Sequence, residues 1–214
     1  MLLSHSLLLN LLILFSACSE NTTNQTSLQQ VGGSCEGCEA IHESPVPFSK
    51  LSHIDTLPGF NDKGQQIEVG GVVYKKDGKT PAKDVVIYVY QTDPKGIYPK
   101  KGNETGWGKQ HGFIRGWMKT NNKGEYRFYT LRPASYPNST NPQHIHITIK
   151  EPSFNEYWID DYHFADDPLV TADIKRKDGK RGGTGLLYLQ TGNGIAKAKR
   201  DIILGLNIPG YPQK

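Results

Sequence analysis

A chain of 214 residues is long enough for one domain with a full hydrophobic core and too short for two large domains. Its net charge of +4 comes from 25 Lys and Arg scattered among 21 Asp and Glu without a basic run or stripe, so the expectation is no nucleic-acid partner, and the pairs Lys75-Lys76 and Lys100-Lys101 read as solvated surface. Hydrophobic content of 36% is that of a globular protein, and 23 Gly, 13 Pro and 11 Tyr tilt the expectation toward a turn-rich, all-β architecture.

The N-terminus reads as an address. Residues 7–15, LLLNLLILF, have the length of a signal-peptide core and are too short to span a bilayer. Small residues follow at Ser16 and Ala17, directly before Cys18, which predicts a signal peptide over 1–17 and lipidation of Cys18 as in a bacterial lipoprotein. Phe15 and the uncharged MLLSHS depart from that pattern, and the alternative is a secreted protein whose ordinary signal peptide is discarded with Cys18 inside it. Cys35 and Cys38 then pair as a local disulfide of an oxidising compartment. A zinc site would need a second ligand pair, and a redox motif would need a βαβ context that the sequence lacks. The polar segment 19–34 cannot bury a core, so 18–60 is expected to be a flexible tether carrying the Cys35–Cys38 pair. Asn-x-Ser/Thr sequons at Asn21, Asn24, Asn103 and Asn138 matter only in a eukaryote, which the lipoprotein signal argues against.

From 61 to 214 short β-rich runs alternate with Gly, Pro, Asn and Asp punctuation, which predicts a two-layer antiparallel β-sandwich with long loops. QIEVGGVVYKK from 66 ends at the turn signal Asp77-Gly78, and VVIYVYQ at 85–91 is apolar enough for a central strand covered on both faces. EYRFYTL at 125–131 alternates after the hairpin signal Asn122-Lys123-Gly124, and HIHITIK at 144–150 alternates as well. YWIDDYHF at 157–164, LLYLQ at 186–190 and AKAKRDIILGL at 196–206 complete the domain, with no long amphipathic helical run and no internal repeat.

Candidate chemistry centres on His144 and His146. One residue apart on a strand, their side chains leave the same face, so both imidazoles can reach one ion; alone, the same pattern also fits a plain polar surface. Tyr136 lies in the loop that enters this strand, and Tyr98 ends YQTDPKGIY in the loop leaving the central strand.

The segments VVIYVYQTDPKGIY, RGWMKTNNKGEYRFYTLRPASYP, HIHITIK and DDYHFADDPL resemble, in order and spacing, the core of the intradiol ring-cleavage dioxygenases of the protocatechuate 3,4-dioxygenase and catechol 1,2-dioxygenase type, from about Val69 to Leu206. The resemblance implies one iron(III) per chain, with Tyr98 and His144 as equatorial ligands and Tyr136 and His146 as axial ones. It further implies that Tyr136 leaves on substrate binding and acts as a base, that catechol-type aromatics and O2 are the substrates, and that cis,cis-muconate-type compounds are the products. The donor set itself suits this ion: a phenol of pKa about 10 ionises at neutral pH only beside a strongly acidic, hard cation, and two phenolates fit a trivalent ion better than zinc.

The chain departs from the family at two positions. Asn141 stands where a substrate-polarising Arg is usual, and Asp161 where its partner Gln is usual. A neutral amide supplies no fixed positive charge, so Arg115 or Arg132 is expected to supply it, with a structural ion pair as the alternative for Arg115. In the loop from Pro99 to Gly112, Trp107 and the lysines are expected to overhang the site. Two readings remain beside the enzyme: a non-catalytic iron- or catechol-binding protein, and a transthyretin-like or carboxypeptidase-regulatory-like binding module, whose relatives lack the tyrosine pair and the His-x-His strand. A homo-oligomer is possible, and an exported location behind a lipid anchor is the expected one.

Overall fold

The computed structural model describes residues 28–176, 179–192 and 194–213. The signal peptide, Cys18, Asn21 and Asn24 lie outside the described residues. Among the described residues, no helix is long and apolar enough to cross a membrane.

Two sheets form the sandwich. The first runs in the order β1 (Ile54–Thr56), β5 (Glu125–Leu131), β2 (Gln66–Tyr74), β10 (Ala196–Lys199), with β11 (Ile202–Ile203) also on β2. The second runs β4 (Arg115–Lys119), β3 (Val86–Gln91), β6 (His144–Lys150), β8 (Tyr162–Phe164), β9 (Leu186–Leu187), with β7 (Glu156–Trp158) also on β6. The all-β sandwich expected from the sequence is the fold observed. Its central pairs are antiparallel, but β1 on β5, β10 and β11 on β2, and β9 on β8 are parallel. Each of these parallel strands is reached by a long connection, which is what parallel pairing requires.

Alternation decides which side chains fill the core. Tyr126 and Phe128 of β5 meet Ile145, Ile147 and Ile149 of β6 and Ile87 and Val89 of β3 between the sheets. Each such fully buried side chain contributes roughly 1.5–3 kcal/mol. Strand β3 is covered on both sides, as its apolar run predicts. Val86 and Tyr88 point away from the inter-sheet core into a second cluster with Ala40, Ile41 and Trp117.

That second cluster corrects the expected tether. It does not extend through 18–60, because Val31, Ala40, Ile41 and Leu57 are buried and Cys38–Glu43 forms a 3-10 turn against the second sheet. The Cys35–Cys38 disulfide is present at the start of this turn. The sequence hid the strap because its apolar residues are few and unperiodic. Segment 157–164 also divides: Asp160 and Asp161 interrupt it, and the Asp160 amide bonds to the Arg181 carbonyl at 3.2 Å instead of to β6. LLYLQ is a strand only at Leu186–Leu187; Tyr188 beyond it is 70% exposed, and Gln190 returns to form an isolated antiparallel bridge with Lys197.

Candidate metal centre

His144 and His146 share the face of β6 opposite Ile145 and Ile147, so they project outward from the sandwich beneath two loops. The loop after β3 is built by Asp93, whose Oδ1 accepts from the amides of Lys95 and Ile97 at 2.8 and 3.1 Å. Gly96, at φ 79°, lets this loop touch its neighbour. A Cβ there would lie 2.0 Å from the Ser135 carbonyl, so no side chain fits between the loop bearing Tyr98 and the loop bearing Tyr136. The Thr92 hydroxyl donates to the Ala134 carbonyl at 2.7 Å and the Ala134 amide to the Asp93 carbonyl at 3.1 Å, which ties the two loops together.

The result is a convergence of four donor atoms. Tyr98 Oη lies 2.5 Å from Tyr136 Oη and 2.9 Å from His146 Nε2. Tyr136 Oη lies 3.1 Å from His144 Nε2 and 3.2 Å from His146 Nε2, and the two Nε2 atoms are 3.1 Å apart. His144 Nδ1–H donates to the Pro142 carbonyl at 2.7 Å, leaving Nε2 as a lone pair. His146 turns Nδ1 to Asp161 Oδ1 at 3.3 Å, which likewise aims its Nε2 at the phenols.

This donor set fits a metal ion. Two imidazole lone pairs 3.1 Å apart cannot bond to each other. They need the phenol protons or a cation between them. Ligand bonds of about 2.0–2.2 Å at right angles separate donors by about 3 Å, the spacing seen here. Without a cation, burial and the neighbouring phenol hold the Tyr98 hydroxyl far above its ordinary pKa, and burial also raises that of Tyr136, so both are neutral. Burial above all keeps His144 below the ordinary histidine range, ready to coordinate. His144, His146 and Asp161 also form a group whose possible ligand atoms lie within 4.8 Å of one another. Asp161, however, serves the Nδ1 edge of His146, away from the phenols, and so orients that ring. Burial pushes its carboxyl up, but the interaction with His146, including the hydrogen bond from Nδ1, outweighs burial and holds it below the ordinary carboxylate range.

The two expected substrate-polarising arginines are placed otherwise. Arg115 Nη1 lies 2.6 Å from Glu43 Oε2, and Arg132 makes two bonds to Asp166 at 2.8 and 2.9 Å while its Nε donates to Gln143 at 2.6 Å. Each charge is committed to a carboxylate, and Arg132 acts on the site by fixing the residue before His144. Asp167 completes that support by accepting from the Gln143 amide at 2.6 Å. Asn141 is exposed, its amide bonded to Ser139 Oγ at 3.0 Å. In the overhanging loop, Trp107 joins a stack with His111 and Tyr90, and Lys101 lies over Phe113.

Tyr90 is a site residue that the sequence did not reveal. It is the strand partner of His146, and its ring stacks on that imidazole at 4.4 Å and on His111 at 3.7 Å. The available signal was its alternation with Tyr88 in a strand beside His-x-His.

Comparison with known proteins agrees with this geometry. A family model described as "Dioxygenase" matches residues 48–183, well over half of the chain. The chain belongs to the intradiol ring-cleavage dioxygenase family. It is 30% identical over 116 residues to the protocatechuate 3,4-dioxygenase beta chain of Burkholderia cepacia, an alignment covering 51% of this chain and 49% of that one. The chain thus spans about half the length of that relative. Solved structures share the family fold, among them the following three. The dioxygenase domain of a dioxygenase carbohydrate-binding protein fusion from Streptomyces sp. SirexAA-E matches at TM-score 0.55 and 21% identity, over 75% of this chain and 94% of that one. A 3-chlorocatechol 1,2-dioxygenase from Rhodococcus opacus 1CP matches at 0.53 and 19%, over 69% and 63%. An intradiol ring-cleavage dioxygenase from Tetranychus urticae matches at 0.51 and 17%, over 72% and 86%. The family match starts at residue 48, so the strap around the Cys35–Cys38 disulfide lies before it.

Proposed function

We propose that this chain is an iron(III)-dependent intradiol dioxygenase that opens catechol-type rings with O2, with Tyr98, Tyr136, His144 and His146 as the protein ligands of one ion. The observation that carries the reading is the convergence of two phenol oxygens and two imidazole Nε2 atoms, with neighbours separated by 2.5 to 3.2 Å. Bound iron(III) would ionise the phenols and make a coordinated catecholate reactive toward O2. The chain's own residues do the rest. Asp161 and the Pro142 carbonyl hold the imidazoles with Nε2 forward. Tyr136 sits in a loop between Pro133 and Gln143, and its oxygen would be placed to take a catechol proton. His144 is buried and Tyr98, Tyr136 and His146 are half-buried, which limits the access of water to the donor atoms.

The commitment of Arg115 and Arg132 to carboxylates supports a second reading, an iron- or catechol-binding protein without turnover. Oxygen uptake separates the two. Iron-loaded protein given catechol is expected to consume one O2 per ring and yield a cis,cis-muconate-type product, whereas binding without oxygen uptake rejects the enzyme. We also propose export and tethering through Cys18; the Cys35–Cys38 disulfide supports an oxidising compartment. Retention of a Cys18→Ser variant in the membrane fraction would contradict the tether.

A further inference from the structure

A cavity of about 270 Å³ adjoins the metal centre on the side of His146 that faces Asp161. It is smaller than the roughly 300–1,000 Å³ of pockets for drug-sized ligands, a size suited to one ring with a short substituent. Its walls are the rings of Tyr90, His146 and Trp158, and its charged groups are the carboxylates of Glu36 and Asp161; no Lys or Arg lines it. The nearby cations are engaged elsewhere. Lys180 lies 3.7 Å from Asp160, and Arg181 stacks on Trp158 at 3.5 Å while donating to the Gly32 carbonyl at 2.9 Å.

Glu36 is exposed and borders the mouth of this cavity, on a strap that is fixed. The Val31 amide bonds to Asn155 at 2.6 Å, the Trp158 indole donates to the Ser34 carbonyl at 3.3 Å, and the disulfide closes the next turn. Gly37, at φ 80°, lies so close to the aromatic stack that a Cβ would meet His111 Nε2 at 3.0 Å. The Tyr90 phenol senses both acids. Burial first, and then the carboxylates of Asp161 and Glu36, raise its pKa, so it stays protonated as a neutral wall of the cavity.

We propose that this cavity is a substrate subsite that selects catechols bearing a short side chain with an ammonium group, with Glu36 and Asp161 as its specificity-determining residues. The inference rests on the catechol-cleaving reading above and deepens it. Of the four donor residues the cavity touches His146 alone, beside Tyr90, so the side chain of a ring held at the metal centre would have to pass along the Tyr90–His146 pair to reach the two carboxylates. An ammonium there meets two opposite charges and aromatic faces, and a carboxylate meets two like charges.

Three catechols of matched shape test it on iron-loaded protein by oxygen uptake: 4-(2-aminoethyl)catechol, 4-ethylcatechol and 3,4-dihydroxyphenylacetate. The expected order of kcat/KM is amine, then ethyl, then carboxylate, with the amine favoured over the carboxylate by about tenfold or more. Glu36→Gln should shrink that ratio several-fold and Glu36→Lys should reverse it, each normalised to 4-ethylcatechol on the same variant. Turnover of 4-ethylcatechol with no preference for the amine, or a ratio unmoved in both Glu36 variants, overturns the subsite and leaves the dioxygenase reading standing. No oxygen uptake with any of the three overturns that reading, and the subsite with it.

Discussion

The two faces of β6 divide the work of the molecule. Inward, Ile145, Ile147 and Ile149 are no more than 2% exposed and lock the second sheet to the first. Outward, two residues alternating with them carry imidazoles into a cluster whose other members come from loops. The inward face is held by apolar area, which tolerates similar shapes; the outward face depends on atoms at fixed positions and on the groups that aim them. Stability and chemistry are therefore separable along one strand, although its residues touch in sequence.

The largest contrast should come from single substitutions on opposite faces. Tyr98→Phe or His146→Ala is expected to lower iron affinity by more than about 100-fold while changing unfolding free energy by only about 1 kcal/mol or less. Ile147→Ala should do the reverse, costing about 2–5 kcal/mol in denaturant unfolding while binding iron at full stoichiometry wherever it is folded. Similar effects from both substitutions on both readouts would erase the distinction.

A smaller effect is expected from Asp161→Asn, which keeps the shape beside His146 Nδ1 but removes the charge. Iron affinity should fall by about 10- to 100-fold, the range for groups that orient a metal-bound imidazole. An unchanged affinity in an iron titration would show that packing against Tyr90 alone sets the His146 ring.

The smallest effect concerns acid stability. Burial first, then the charges of His146 and Arg115, lower the His111 pKa to about 4, with Glu43 opposing. The unfolded chain, with an ordinary value of 6.5, takes up this proton before the folded one does. The contribution of neutral His111 is thus fully present above pH 6.5 and is lost as pH falls toward about 4. His111→Phe should flatten the dependence of stability on pH within that window. An equal slope in wild type and variant would contradict the assignment.

Much of this was legible in the sequence. Strands β5 and β6 fall where alternation places them, because one face of each is buried and the register leaves no choice. Tyr98, Tyr136, His144 and His146 were visible as a set because their order and spacing follow a family pattern. Glu43 and Asp166 were not, since the carboxylates that claim Arg115 and Arg132 lie 72 and 34 residues away in sequence. Nor was Tyr90, which meets His146 only through strand pairing. The strap escaped for a different reason: Ala40 and Ile41 are too few to show a period, and they are buried by what they land on.

The central claim is that four donor atoms hold one ferric ion, and a visible-absorbance titration of metal-free protein with iron(III) tests it most directly. The account predicts a broad tyrosinate-to-iron band that saturates at one equivalent, shifts when catechol is added and is lost or strongly altered in Tyr98→Phe. A folded protein that stays colourless through the titration, or a band unchanged in Tyr98→Phe, would contradict it.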